Sequence, residues 1–399
     1  MKTEIKQRIT QLNNGEVPFG YKKTSVGIVP REWTEHTLGD IFIFKNGLNK
    51  EKEAFGQGTP IVNYTDVWKK RGLRAKDICG RVALSEKEIQ TYEAKAGDVF
   101  FTRTSETIDE IGYSSVLLED VENAVFSGFV LRARPYNNLV CKEYHQYCYS
   151  EPLMRQEIIK RSSMTTRALT SGPMLSQVAI NLPSQREQSR IAEILMKWDE
   201  AIELQEQYIA LVETRKKVLM RKLLTPQEDW EYVLLGDICE IKTGRLDANV
   251  MEEDGIYPFF TCSKEVYKIN RYSFDCEALL MAGNGYIGDV KYYNGKFDAY
   301  QRTYVLSKFS FNIHYVMQYL LQNFDRDVMK GMQKSSMPYI KLDLLKNARI
   351  HYKSTDVQNT VKVLSTVDTE IELCNKKLEQ LKKQRKTLQQ YLLNGIVRV

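Results

Sequence analysis

Two polar-basic stretches carry the side chains in this sequence best suited to chemistry at a polyanion. Lys160-Arg161-Ser-Ser163-Met-Thr165-Thr166-Arg167 and Lys330-Gly-Met-Gln333-Lys334-Ser335-Ser336 sit at similar places in the two halves of the chain. Arg, Lys, Gln, Ser and Thr are the donors that reach phosphate oxygens and base edges. Arg103-Thr104-Ser105, Gln301-Arg302, and Asn284 and Tyr286 of a glycine-rich run are candidates of the same kind. What they offer is recognition by hydrogen bonding, with no bond made or broken. A solvated loop is the competing reading for each.

Covalent chemistry finds less support. Gly283-Asn-Gly285-Tyr-Ile-Gly288 is a formal G-x-G-x-x-G, but such a loop must open a helix to hold a cofactor phosphate. The residues that follow, Asp-Val-Lys-Tyr-Tyr-Asn-Gly, read as strand and turn. Methylation of a base would need an Asn/Asp-Pro-Pro-aromatic element, and the chain contains no Pro-Pro. Loose nuclease-like sets (Asp77 with Glu93 and Lys95; Asp275 with Asp289 and Lys291) arise readily in a chain that is 27% charged. His36, His145, His314 and His351 show no paired metal-ligand spacing. The cysteines, seven in number, include no C-x-x-C pair, so reduced cytoplasmic thiols are expected rather than a disulfide framework or zinc site. The expectation is a chain with no catalytic residue, no metal and no cofactor of its own.

The bulk numbers are compatible with this. A length of 399 residues accommodates two or three domains. A net charge of +6 permits nucleic-acid binding without demanding it. The charged start, Met-Lys-Thr-Glu-Ile-Lys, does not read as a signal peptide, and no apolar run approaches the roughly 18 residues of a membrane span.

The elements that would position these residues are announced by an internal repeat. Trp33, Leu38, Gly39, Asp40, Ile41, Lys45 and Gly47 recur as Trp230, Leu235, Gly236, Asp237, Ile238, Lys242 and Gly244, all at an offset of 197. Further on, Ile194-Leu195 and Asp199 recur as Val363-Leu364 and Asp368, Ile202 as Ile371, and Leu223-Leu224 as Leu392-Leu393, at an offset of 169. The order is globular domain, helix, globular domain, helix.

The helices carry a sustained 3.5-residue period. Positions 191, 195, 198, 202, 205, 209, 212, 216, 219 and 223 hold Ile, Leu, Trp, Ile, Gln, Ile, Val, Lys, Leu and Leu; the matching set from 360 to 392 holds Thr, Leu, Val, Ile, Cys, Leu, Leu, Arg, Leu and Leu. That is a coiled-coil seam. Its polar breaks nearly coincide, Lys216 with Arg385 and Gln205 with Cys374. Pro183 and Pro226 bracket the first helix. The expected division is an N-terminal segment 1–20, a recognition domain 21–183, a spacer helix 184–225, a second recognition domain 226–353 and a second spacer helix 354–399. The domains read as α+β, with strands at Asp98–Thr102, Ala124–Leu131 and Ala299–Leu306, short helices near 142–160 and 313–330, and a hairpin turn at Asn294-Gly295.

Helix 191–224 would be roughly 50 Å long. A second helix that returns antiparallel would give two heads on a rigid spacer with an approximate twofold axis. Such an object suits a duplex whose half-sites lie about one turn apart, and heads of different sequence suit a split, asymmetric target.

Gly20-Tyr-Lys-Lys-Thr-Ser-Val-Gly-Ile-Val-Pro-Arg-Glu-Trp33 with Leu38-Gly39-Asp40, Gly97-Asp98-Val-Phe-Phe-Thr-Arg-Thr-Ser105, and Pro183-Ser-Gln-Arg-Glu187-Gln188-Ser-Arg-Ile191-Ala192 together resemble a type I restriction-modification specificity subunit of the HsdS family. The resemblance covers nearly the whole chain. The second copy departs from it: its helix opens Asp356-Val-Gln-Asn-Thr360, and Met281-Ala282-Gly283 stands where the first copy has Thr102-Arg103-Thr104.

The resemblance implies that each domain reads one part of a split double-stranded DNA site. It implies that two modification subunits dock on this chain and methylate adenine with S-adenosylmethionine, and that motor-nuclease subunits using magnesium and ATP can join them. A two-headed protein-binding scaffold is the alternative the residues leave open.

Overall fold

The computed structural model describes residues 3–327 and 339–399. They form two compact units, one built from residues 1–204 with 379–399 and one from 205–378.

The core sheet of the first unit contains β1 (Phe42–Asn46), β2 (Gly72–Leu73), β3 (Val99–Thr102), β4 (Ser114–Leu117) and β5 (Val130–Pro135), in the order β1-β5-β3-β4-β2. All neighbours are antiparallel except β4 and β2. The second unit has β6 (Glu240–Thr243), β7 (Tyr257–Phe260), β8 (Val266–Ile269), β9 (Phe274–Ala282), β10 (Val290–Ala299) and β11 (Thr303–Ser307), in the order β6-β11-β9-β10-β7-β8. Here β10 and β7 are the parallel pair. Setting β8 aside, the two sheets share strand order and direction, so the repeat read from a few motifs extends through domains that otherwise diverge.

β3 throughout, and β9 over residues 278–282, are buried on both faces, which explains the unbroken apolar runs there. Val99 and Phe101 of β3 enter one core while Phe100 enters another. Leu279 and Met281 of β9 likewise part from Ala278 and Leu280. The repeated Gly47 and Gly244 mark one close approach. A β-carbon on Gly47 would lie 2.1 Å from the Ser127 carbonyl oxygen, and one on Gly244 would lie 1.9 Å from that of Ala299.

The two long helices are α1 (Gln185–Leu224) and α2 (Val357–Leu393). Ser184 caps α1, its hydroxyl accepting the Glu187 amide at 3.3 Å. None of the heptad positions read from the sequence, ten in each helix, is exposed. Each charged break meets a carboxylate of the opposite helix. In the first unit Arg385 Nε donates to Asp199 at 2.8 Å; in the second, Lys216 Nζ lies 2.6 Å from Asp368. Asp199 and Asp368 are repeat mates, as are Lys216 and Arg385, so one ion pair is built twice. Gln205 Nε2 donates to the backbone oxygen of its own repeat mate, Cys374, at 3.3 Å. In the second unit, Gln205 against Cys374 and Lys216 against Asp368 require the two helix segments to run antiparallel.

Chain ends meet within the first unit. Tyr21 Oη donates to the Gly395 carbonyl at 2.6 Å, and Arg8 donates to that of Ile396 at 2.5 Å. Arg398 grips Glu187 at 2.6 and 3.0 Å, and the Trp33 indole N–H donates to the same carboxylate at 3.2 Å.

Of the expected strands, Asp98–Thr102 forms as Val99–Thr102, whereas Ala124–Leu131 and Ala299–Leu306 are each broken by a turn, at 128–129 and 301–302; short helices form at Pro152–Arg161 and Ile313–Asp327. The hairpin turn at Asn294-Gly295 does not form. Both residues lie inside β10, opposite Glu277 and Cys276 of β9. Gly295 is there because the strand needs a residue at φ +136°, which glycine supplies without closing a turn.

His145 is a core residue of the first unit. Its Nδ1 lies 2.7 Å from the Tyr149 hydroxyl, and burial pulls its pKa down from 6.5 to about 3. The folded state therefore binds fewer protons than the unfolded state between those values, and stability falls as pH drops from 6.5 toward 3. Denaturant titrations of His145→Phe across this range should show a shallower loss than the native protein.

Candidate nucleic-acid interface

In the first unit the backbone brings both candidate stretches, 103–105 and 160–167, into one patch. Just past β3, Thr104–Ser105 pair with Ala168–Leu169, which pair in turn with Ser163–Met164. A tight turn, with the Thr165 amide donating to the Arg167 carbonyl at 3.2 Å, presents Thr165, Thr166 and Arg167 to solvent. Lys160 and Arg161 end the helix that feeds this turn.

The side chains are unequally free. Lys160 lies 3.3 Å from Glu157, Arg161 donates to Gln177 at 3.0 Å, and Arg167 lies 3.4 Å from Glu106 with both side chains largely exposed. Ser105 is buried and its hydroxyl donates to the Thr107 carbonyl. Ser163 Oγ donates to the Leu169 carbonyl at 3.4 Å. Arg103 is half-buried, with no ion pair among the described residues.

Thr104, Ser105 and Arg167 line an open cleft of about 390 Å³ whose other walls are Tyr64, Trp68, Glu106, Glu110 and Phe129. These aromatics lie outside the residues whose type and spacing mark them as candidates in the sequence. Tyr64 and Trp68 lie four residues apart on the short helix Tyr64–Lys69, which Asn63 and Asp66 cap while Val67 faces inward. The Asn63-x-x-Asp66 spacing was a legible start signal for that helix. Nothing in the sequence marks Trp68 or Phe129 as exposed. Burial, and then the charge of Glu110, hold the Tyr64 phenol above its ordinary pKa, so it stays a neutral donor.

The second unit builds its cleft at the corresponding place. Thr243, Gly283, Asn284, Gln301, Arg302, Tyr304, Tyr339 and Ile340 surround about 420 Å³. Asn284 pairs with Tyr339, and Tyr286 is exposed nearby in sequence. Gln301 and Arg302 are exposed, with no ion pair among the described residues. The candidates Lys330, Gln333, Lys334 and Ser335 lie outside the described residues.

The two clefts share one turn. Before β5, Val130 N donates to Ser127 O at 3.1 Å and Gly128 N to Leu48 O at 2.7 Å; before β11, Thr303 N donates to Tyr300 O and Gln301 N to Leu246 O, each at 2.8 Å. Across the strand end, Arg103 N donates to Phe129 O at 3.0 Å and Gly283 N to Arg302 O at 2.8 Å; with Val130 opposite Thr102 and Thr303 opposite Ala282, the register makes Gly283 the counterpart of Arg103, one residue on from the match of Met281-Ala282-Gly283 with Thr102-Arg103-Thr104 expected from the sequence. Identical backbone thus carries different side chains.

The catalytic alternatives gain no geometry. The glycine-rich run 283–288 leads into β10 and not a helix. Asp275 faces Lys296, while Asp289 lies beyond the Met281–Val290 pair at the far end of the same ladder, about 20 Å along the strand. Asp77 is engaged by Lys70 and the Arg74 amide. No cluster able to hold a metal is found among the described residues, and no helix there is long and apolar enough to cross a membrane.

Comparison with known proteins adds a family. Residues 30–214 and 227–383 match the type I restriction modification DNA specificity domain. The specificity subunit of the type I restriction enzyme EcoDI of Escherichia coli is 36% identical over 172 residues, 42% of this chain and 38% of that subunit. The putative type I restriction enzyme MjaX specificity subunit of Methanocaldococcus jannaschii is 24% identical over 95% of this chain and 97% of its own length. Among solved structures, the type I restriction-modification S subunit from M. genitalium superposes with a TM-score of 0.56 at 17% identity, covering 90% of this chain and 96% of that one. A chain from a structure of type I R-M complex assembly and conformational transition gives 0.57 at 14% identity, covering 92% and 99%. These two likenesses concern the fold.

Proposed function

Because this chain belongs to the family of type I restriction-modification DNA specificity proteins, we propose that it is the non-catalytic specificity subunit of such an enzyme and reads a split, asymmetric duplex target with its two heads. The observation that carries the reading is the recurrence of one turn and one cleft in both heads with different side chains. A reader of two unlike half-sites needs a common docking frame and unlike contacts. Lys160, Arg161, Thr165, Thr166 and Arg167 would serve the frame in head one through phosphate contacts.

Adenine methylation would belong to two modification subunits carrying S-adenosylmethionine, with motor-nuclease subunits completing a restriction complex. Exposed apolar residues on the long helices, Tyr208, Leu211 and Val218 of α1 and Leu373 of α2, support helix faces as their docking surface.

The test is adenine-methylation mapping on genomic DNA with this chain expressed beside its modification subunit. Marks at one split, asymmetric motif are the expected result. Absence of marks with the partner folded and bound would favour a protein scaffold. On the assembled complex, Lys160→Ala and Arg167→Ala should each weaken binding evenly across sequences. Each should lower the slope of log K against log salt by about 1, measured by fluorescence anisotropy.

A further inference from the structure

We propose that one structural position, Phe129 in head one and Arg302 in head two, decides a base pair in each half-site, with Arg302 reading guanine and Phe129 packing on a thymine methyl. This rests on the reading that the heads bind duplex DNA. The equivalence of the two residues is fixed by the backbone. Each is the third residue of the shared turn, and each precedes a strand whose first residue faces its neighbour in the same register, Val130 opposite Thr102 and Thr303 opposite Ala282. Both side chains are exposed and both line the cleft of their own head.

The chemistry at the position is opposite in the two heads. The main chain of Arg302 is held by the Gly283 amide at 2.8 Å and the Cys262 thiol at 3.3 Å. Its guanidinium has no ion pair or hydrogen bond among the described residues, whereas Arg161 and Arg167 of head one already have partners. An anchored backbone with a free, five-donor fork matches the O6 and N7 acceptors of guanine in the major groove. Gly283, across the strand end, keeps that approach close: a β-carbon there would lie 2.6 Å from the Arg302 carbonyl oxygen.

In head one the same place holds a ring that is 63% exposed, beside Trp68, itself 49% exposed. A phenylalanine offers no hydrogen bond to a base edge. The apolar group in the major groove that it can meet is the thymine methyl. Divergence at this position also gives a physical reason for unlike half-sites on a shared frame.

The experiment maps adenine methylation by the complex with its modification subunits, for the native chain and for Arg302→Gln, Arg302→Lys and Phe129→Ala. Arg302→Gln should relax one G·C pair in one half-site, with preference falling roughly 10- to 100-fold. The other half-site should be kept, which reports that the chain is folded. Phe129→Ala should relax an A·T pair in the other half-site. Arg302→Lys keeps the charge and loses the fork, so it should relax the same G·C pair. If Arg302→Gln yields no marks, the lysine variant decides: relaxation supports the proposal, and an unchanged motif overturns it. A motif unchanged at every base in both Arg302 variants overturns it as well. A native complex without marks would instead sink the reading on which the proposal rests.

Discussion

Asp199→Ala is expected to lower stability by about 3 kcal/mol and Asp368→Ala by about 1 kcal/mol, although the two carboxylates are repeat mates in equivalent ion pairs. The difference lies in the partner left behind. Arg385 is 5% exposed, packed over the Tyr147 ring and bonded to Gln389. Without Asp199 its charge stays buried with no counter-ion, and Tyr147, which donates to Asp199 at 2.9 Å, loses its acceptor. Lys216 has a long, flexible stem and a side chain 21% exposed, so its ammonium reaches water when Asp368 is removed. Denaturant unfolding followed by hydrogen exchange would check the pair. Equal losses would mean that burial of Arg385 is not what makes the first pair costly to break.

Trp33→Ala should cost about 4 kcal/mol, and Trp230→Ala about 1–2 kcal/mol, since a large ring lost from a closed core leaves a cavity and one lost from a partly open site does not. Trp33 is 1% exposed, covered by Gly395 and tied to Glu187. Trp230 is only partly buried. Thermal unfolding of the two variants, with exchange protection read separately for residues 21–183 and 230–352, should show the first losing protection in its own unit. Comparable losses in both variants would contradict the asymmetry.

What could be read ahead of the structure follows the reach of each signal. The long helices were legible because a 3.5-residue period sustained over ten turns' worth of seam positions leaves no competing element, and their charged breaks at Lys216 and Arg385 are answered by Asp368 and Asp199 of the opposite helix. The repeat at Trp33 and Trp230 was legible because Gly47 and Gly244 sit where backbones touch and tolerate no side chain. The hairpin assigned to Asn294-Gly295 failed because a two-residue pattern cannot distinguish a turn from a strand needing one unusual φ. The clefts were half legible. Donors such as Arg167 and Arg302 advertise themselves by type, whereas Phe129 and Trp68 become notable only through exposure, which depends on tertiary packing. The equivalence of Phe129 and Arg302 was hidden, since it rests on main-chain hydrogen bonds that no residue type encodes.

The make-up of the two units has a consequence for the order in which the protein matures. The unit containing residues 205–378 is contiguous and can complete its core as it leaves the ribosome. The unit that begins first cannot: Leu392 and Leu393 belong to its main core, Val397 and Val399 pack against it, and Arg398 neutralises its buried Glu187. The usual sequence of synthesis, in which the amino-terminal domain folds first, is inverted here. The earlier-made head must wait with an open core until residues 379–399 arrive. During that interval a chaperone would find its client surface in the first half of the chain, and a truncation near the carboxyl end would damage the head encoded at the other end of the gene.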